Sequence, residues 1–236
     1  MSEPQHIVSA FGEELEQLSA ALLRMGGLAE VMIRDASRAV VSRDAALAET
    51  VIDRDKEMDR MEAEVERKAV RMLALRQPMA TDLRNVIGAI KLAGGIERIG
   101  DLAKNIARRS LAVMEEDNRT ALRGIERMGQ AVSRILQVAL DAYARLDPVT
   151  ALTVREQDDD IDSHYNGLLR SMLVFMAEEP DQLHARSNFL FIVKNLERIG
   201  DHCTYIAKVV HFIATGDQIS DAVLRKTPSS DKDASS

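Results

Sequence analysis

Apolar positions recur at spacings of three and four along almost the whole chain, as in Phe11, Leu15, Leu18, Leu22 and Met25. Period-two alternation of β-branched residues is nearly absent, so the pattern is that of amphipathic helices. From Leu28 to Gln77 there is neither Gly nor Pro. Six long helices are predicted. The first covers roughly residues 6–42. Asp44 is placed to cap a second, which runs to about Leu75. Pro78 breaks the chain, and Thr81 or Asp82 caps a third helix to about Met114. The polar segment 115–120 separates the halves, and a fourth helix runs from about 120 to 145. Asp147-Pro148, a cap followed by Pro at the first helical position, opens a fifth to about Glu178. Pro180-Asp181 repeats the earlier break before a sixth helix to about Thr215. From residue 217 onward Ser, Asp, Lys and Thr dominate, and a disordered polar tail is expected.

The pentapeptide Glu-Arg-Ile-Gly-Asp occurs twice, at Glu97–Asp101 and at Glu197–Asp201, one hundred residues apart. The halves align beyond it. Asp53, Asp55 and Asp59 match Glu156, Asp158 and Asp162 at an offset of 103, and Pro78 matches Pro180 at 102. Each half reads as long helix, long helix, Pro break, long helix. The expected fold is therefore all-α, with two tandem three-helix bundles made by internal duplication. The first bundle spans residues 1–116, the second 117–216, and the tail 217–236.

The duplication also places acids. In the third helix Leu92, Ile96, Ile99, Ala103 and Ile106 form a core stripe, and Ile192, Leu196, Ile199, Cys203 and Ile206 do so in the sixth. Residues i and i+4 share a helix face, so Glu97 with Asp101, and Glu197 with Asp201, point together. They lie about 100° from the centre of the buried stripe, on its shoulder. In the second helix Asp55 and Asp59 sit to one side of the core line Val51, Met58, Val65 and Met72; in the fifth, Asp158 and Asp162 flank Ile161. Were those helices neighbours, four carboxylates would converge in each half. Converging carboxylates repel and are costly to desolvate. Arg or Lys from a neighbour would neutralise them, and so would hard cations, which favour carboxylate oxygen. A single such pair is ordinarily a solvated shoulder with salt bridges; four in matched places point to a cation site. Gly100 and Gly200 stand between the acids, and a helical Gly costs about 1 kcal/mol against Ala. Tight helix packing is the preferred reason, with close approach of a ligand the other.

Composition narrows the classes. The chain has 236 residues, 46% apolar and 3% aromatic, so aliphatic side chains and Met fill the core. A net charge of −7 disfavours sequence-independent nucleic-acid binding. The single cysteine, Cys203, rules out an intrachain disulfide and suits the cytosol. No apolar run approaches the ~20 residues of a membrane span, and no signal-peptide pattern opens the chain. A soluble cytoplasmic protein is expected. No Glu-x-x-His accompanies the repeated acids, and no zinc pattern, phosphate loop or nucleophile elbow is present. No general base or nucleophile repeats with the acids, so an enzyme is not expected.

Two segments carry a resemblance. Glu97-Arg98-Ile99-Gly100-Asp101-Leu102-Ala103-Lys104-Asn105-Ile106-Ala107 and Asn195-Leu196-Glu197-Arg198-Ile199-Gly200-Asp201-His202 are similar to the signature of the PhoU family. Arg76-Gln77-Pro78-Met79-Ala80-Thr81-Asp82-Leu83-Arg84, leading into Lys91, resembles it too. The likeness covers nearly the whole chain. It implies a regulator of phosphate uptake and phosphate-starvation signalling, which represses the starvation response when phosphate is plentiful. Its implied partners are a second copy of itself, the ATPase subunit of the phosphate ABC transporter, and a membrane sensor histidine kinase. Membrane association would come only through those partners. It further implies metal ions (iron, manganese, magnesium or zinc) on Asp55, Asp59, Glu97 and Asp101, and on Asp158, Asp162, Glu197 and Asp201. The family pattern at Asn105 is not repeated, since Tyr205 stands at the matching place. Two other readings remain: a metal-storage or metal-dependent hydrolase bundle, and a metal-free dimeric adaptor whose acids pair with Arg or Lys across helices.

Overall fold

The computed structural model describes residues 3–116, 118–178 and 183–219. Among these it contains six α-helices: α1 (Glu3–Ser42), α2 (Ala45–Arg76), α3 (Ala80–Ser110), α4 (Arg119–Arg145), α5 (Pro148–Glu178) and α6 (Leu183–Thr215). The expected break at Pro180-Asp181, and the expected tail from residue 220 on, lie outside the described residues.

The helix starts follow local chemistry. Asp44 caps α2, accepting the Leu47 amide at 3.0 Å. Asn118 does the same for α4 with Ala121, at 2.9 Å. Asp147 accepts the Val149 and Thr150 amides and the Thr150 hydroxyl ahead of α5. The Thr150 hydroxyl, with those amides, holds the Asp147 carboxyl below the usual range. Two ends differ from expectation. α3 starts at Ala80 without a side-chain cap, because Gln77 and Ala80 both take left-handed backbone around Pro78 and turn the chain early. Asp82 sits instead in the first turn, where it meets the positive end of the helix dipole. α3 also stops at Ser110, and a 3-10 turn at Leu111–Val113 takes the residues expected to complete it.

Within each half all three helices pack on one another, and α1 on α4 and α3 on α6 join the halves. That leaves α2 and α5 outermost. One continuous core runs through both halves, from Met25 and Ile33 through Met58 and Ile99 to Ile125, Ile161 and Ile199. The contacts between the halves are reciprocal. A Cβ at Gly26 of α1 would overlap Leu140 of α4, and a Cβ at Gly129 of α4 would overlap Ser37 of α1. Gly26 maps onto Gly129, and Ser37 onto Leu140, by one offset of 103. Similarly, Gly88 of α3 faces Val209 of α6, while Asn188 of α6 accepts a hydrogen bond from Arg109 of α3 at 3.1 Å. The halves are thus related by an approximate two-fold. Among the described residues no helix is long and apolar enough to cross a membrane.

Candidate functional site: two acidic arrays with different countercharges

The acids lie where α2 meets α3 and where α5 meets α6, and both helix pairs are in contact. The shoulder placement holds for Asp55 and Asp158, which are buried, and for Glu97, Asp101, Asp162 and Glu197, which are half-buried. Asp59 and Asp201 are exposed. The four carboxylates of each half do not close into one cluster. Among the described residues no three His, Cys, Asp or Glu side chains stand in an arrangement that would hold a metal ion.

The first half is closed by a lysine. Lys104 Nζ of α3 reaches Asp55 Oδ2 of α2 at 2.5 Å and Asp101 Oδ1 at 2.5 Å. Burial works against its charge, but the bonds to Asp101 and Asp55 outweigh that and hold the ammonium above its usual pKa. Lys104 therefore occupies the place between α2 and α3 where a cation would bind. Among the described residues Asp59 forms no ion pair or hydrogen bond, and the cation paired with Glu97 is Arg98, at 3.8 Å. Burial, then neighbouring carboxylates, raise the pKa of both Glu97 and Glu62.

The second half lacks that lysine, and Thr204 stands in its place. Its hydroxyl donates to Asp158 Oδ2 at 3.0 Å. Asp158 Oδ1 lies against Gly200, is buried and has no hydrogen bond. The only cation near Asp158 among the described residues is Arg155, 3.8 Å away. Burial, opposed by the Thr204 bond and reinforced by Asp162 and Asp201, pushes the Asp158 carboxyl up to about 6. Asp162 is raised too, by burial and then by Asp201. Glu197 is drawn away from this group, since Lys194 Nζ binds its Oε1 at 2.6 Å. Its Oε2 is buried without a partner. The counterpart of Lys194 is Gly94, so each half neutralises a different acid.

The glycines between the acids serve packing. A Cβ at Gly100 would stand 3.1 Å from Met58 Cγ, and one at Gly200 would stand 3.3 Å from Ile161 Cδ1 and overlap Asp158 Oδ1. The arrays also meet across the approximate two-fold. A groove of about 500 Å³ between α3 and α6 is lined by Glu62, Glu97 and Arg98 from one half and Asp201, His202 and Tyr205 from the other. Burial, and then Arg198, lower the pKa of His202. Cys203 is fully buried, and burial pushes its thiol up, so it is no nucleophile.

Sequence reasoning found the acids but missed Lys104, Thr204 and Lys194. The signals were present: a lysine three residues after Asp101, another three before Glu197, and a mismatch at each place between the halves.

Comparison with known proteins shows that the fold is a shared one. The profile of the PhoU domain matches residues 22–110 and again 125–210. The phosphate-specific transport system accessory protein PhoU homolog of Caulobacter vibrioides is 45% identical over 217 residues, 92% of this chain and 94% of its own. The homolog from Rhizobium meliloti is 44% identical over 214 residues, 90% of each chain. The crystal structure of PhoU from Pseudomonas aeruginosa superposes with a TM-score of 0.84 at 38% identity, covering 88% of this chain and all of that one. The phosphate transport system regulatory protein PhoU from Streptococcus pneumoniae gives 0.83 at 27% identity, covering 89% of this chain and 99% of its own.

Proposed function

This chain belongs to the PhoU family, and from that premise we propose that it is an accessory regulator of phosphate transport that works by binding other proteins. The observation that carries the reading is the doubled domain match, which spans both acidic arrays, together with relatives named as phosphate transport accessory proteins along nearly their full length. In this reading a cytoplasmic dimer meets the ATPase subunit of the phosphate ABC transporter and the sensor histidine kinase. It reports transporter state, and it keeps the starvation response off while phosphate is plentiful. Exposed apolar side chains support a binding role. Val70, Leu75 and Met79 lie at the end of α2 and the turn into α3, and Leu173, Val174 and Leu183 lie at the matching ends of α5 and α6. Apolar groups left in water at matched places suit partner surfaces.

The countercharge differs between the halves. Lys104 already supplies the cation of the first array, as the metal-free adaptor reading requires. In the second array Asp158, Asp162 and Asp201 lack such a cation, and the orphaned Asp158 oxygen is a hard donor. Among the described residues, however, these acids form no arrangement that would hold a metal ion, so the partner-binding role is assigned without one. Deletion of the gene, followed by an alkaline phosphatase reporter in phosphate-rich medium, tests the regulator. Constitutive reporter activity, restored to repression by the wild-type gene, is expected. A reporter that stays repressed after deletion rules the regulator out.

A further inference from the structure

At the crossing of α1 and α4, Leu140 fills the space over Gly26, whereas at the matching end the smaller side chain of Ser37, its Cβ and hydroxyl, covers Gly129. The smaller residue leaves a cleft of about 420 Å³. Ser37 is 6% exposed, and its Oγ has no hydrogen bond. A helical serine commonly returns its hydroxyl to the carbonyl four residues back. That of Ser37 faces Gly129 in the floor of the cleft instead. Arg34 and Arg38 line the cleft from one face of α1, and Arg134 lines it from α4 beside Ser133 and Gln130. Glu126 is the single acid among the lining residues. Arg38 and Arg134 form no salt bridge among the described residues. Arg34 reaches only Asp35, at 3.8 Å, and Asp35 is already bonded to Arg54. The duplicated fold does not demand these arginines, because Gln137, Asp141 and Val31 occupy the matching places.

We infer that this cleft binds a phosphoryl oxyanion between the guanidinium groups of Arg38 and Arg134, over a floor formed by Ser37 and Gly129. Guanidinium forks match the oxygen geometry of such a group. Three of them facing one recess stay in net excess over Glu126. The volume falls within the ~300–1,000 Å³ typical of small-ligand pockets and exceeds what one free phosphate needs. Val41 and Gly129 offer an apolar wall for an organic body. Inorganic phosphate and a nucleoside diphosphate present the same oxyanion, and the test separates them.

The full chain is titrated calorimetrically at low salt with inorganic phosphate and, separately, with ADP. Saturable binding of at least one is expected. Binding of phosphate alone, or as tightly as ADP, makes the free anion the ligand; tighter binding of ADP makes it a nucleotide. The Arg38→Gln, Arg134→Gln double variant is expected to weaken binding at least tenfold. Ser37→Leu, which installs the residue found at the matched crossing, is expected to abolish it while unfolding as cooperatively as the wild type. Binding of neither anion, or binding that the double variant leaves unchanged, overturns the inference. The measurement uses purified protein, so its failure leaves the reporter test of the regulator unaffected.

Discussion

Replacing Lys104 by methionine is expected to destabilise the fold by roughly 3 kcal/mol at pH 7, the low end of the ~3–5 kcal/mol for breaking a buried ion pair by removing one partner. Lys104 bonds Asp55 on α2 and Asp101 on α3 at once, and only 14% of its side chain reaches solvent. Methionine keeps the length and the apolar stem but leaves two carboxylates facing each other. The value stands at the lower part of the buried range because Asp101 is 29% exposed and can be rehydrated. Because the bonds raise the lysine pKa in the folded state, their contribution is complete below its ordinary value of 10.5 and is lost only as pH rises through the higher folded value. The loss should therefore be flat across neutral pH. Urea unfolding at pH 6 and pH 8 checks both the size and the flatness.

Asp158→Asn is expected to do the opposite and stabilise the protein at pH 8 by roughly 1–3 kcal/mol. The folded carboxyl is pushed up to about 6 from the ordinary 3.8. Between those values the folded state binds more protons than the unfolded state, so stability falls as pH rises through that window and stays low above it. Asparagine still accepts the Thr204 hydroxyl and carries no charge to bury. The gain should vanish near pH 4, where aspartate is itself neutral in the fold. Thermal melts of both proteins at pH 4 and pH 8 measure it.

The fold was largely legible because its signals are local and repeated. Spacings of three and four, Asp44, Asp147 and the break at Pro78 marked the elements, and the doubled pentapeptide marked the duplication. The end of α3 was not legible, since Leu111–Val113 continues the apolar pattern while its backbone tightens into a 3-10 turn. At the acidic arrays the sequence showed which side chains share a face. It did not show which cation each would find, because that depends on pairs far apart in the chain. Asp55 with Lys104, and Asp158 with Thr204, meet only when α2 lies on α3 and α5 on α6. The α1–α4 cleft was hidden for a related reason. Ser37 reads as a small residue in a helix until Gly129 is placed under it and Leu140 is recognised as its counterpart.

Exchanging the two unequal residues tests the charge asymmetry most directly. Lys104→Thr and Thr204→Lys are made separately, and the free energy of unfolding is measured for each at pH 8. Lys104 sits between two acids in one half, and Thr204 holds the same place in the other, where Asp158 keeps an unpartnered oxygen. Opposite signs are expected: the first exchange destabilises, and the second stabilises by giving Asp158 and Asp201 their cation. Two changes of the same sign, or no change from either, would contradict the asymmetry.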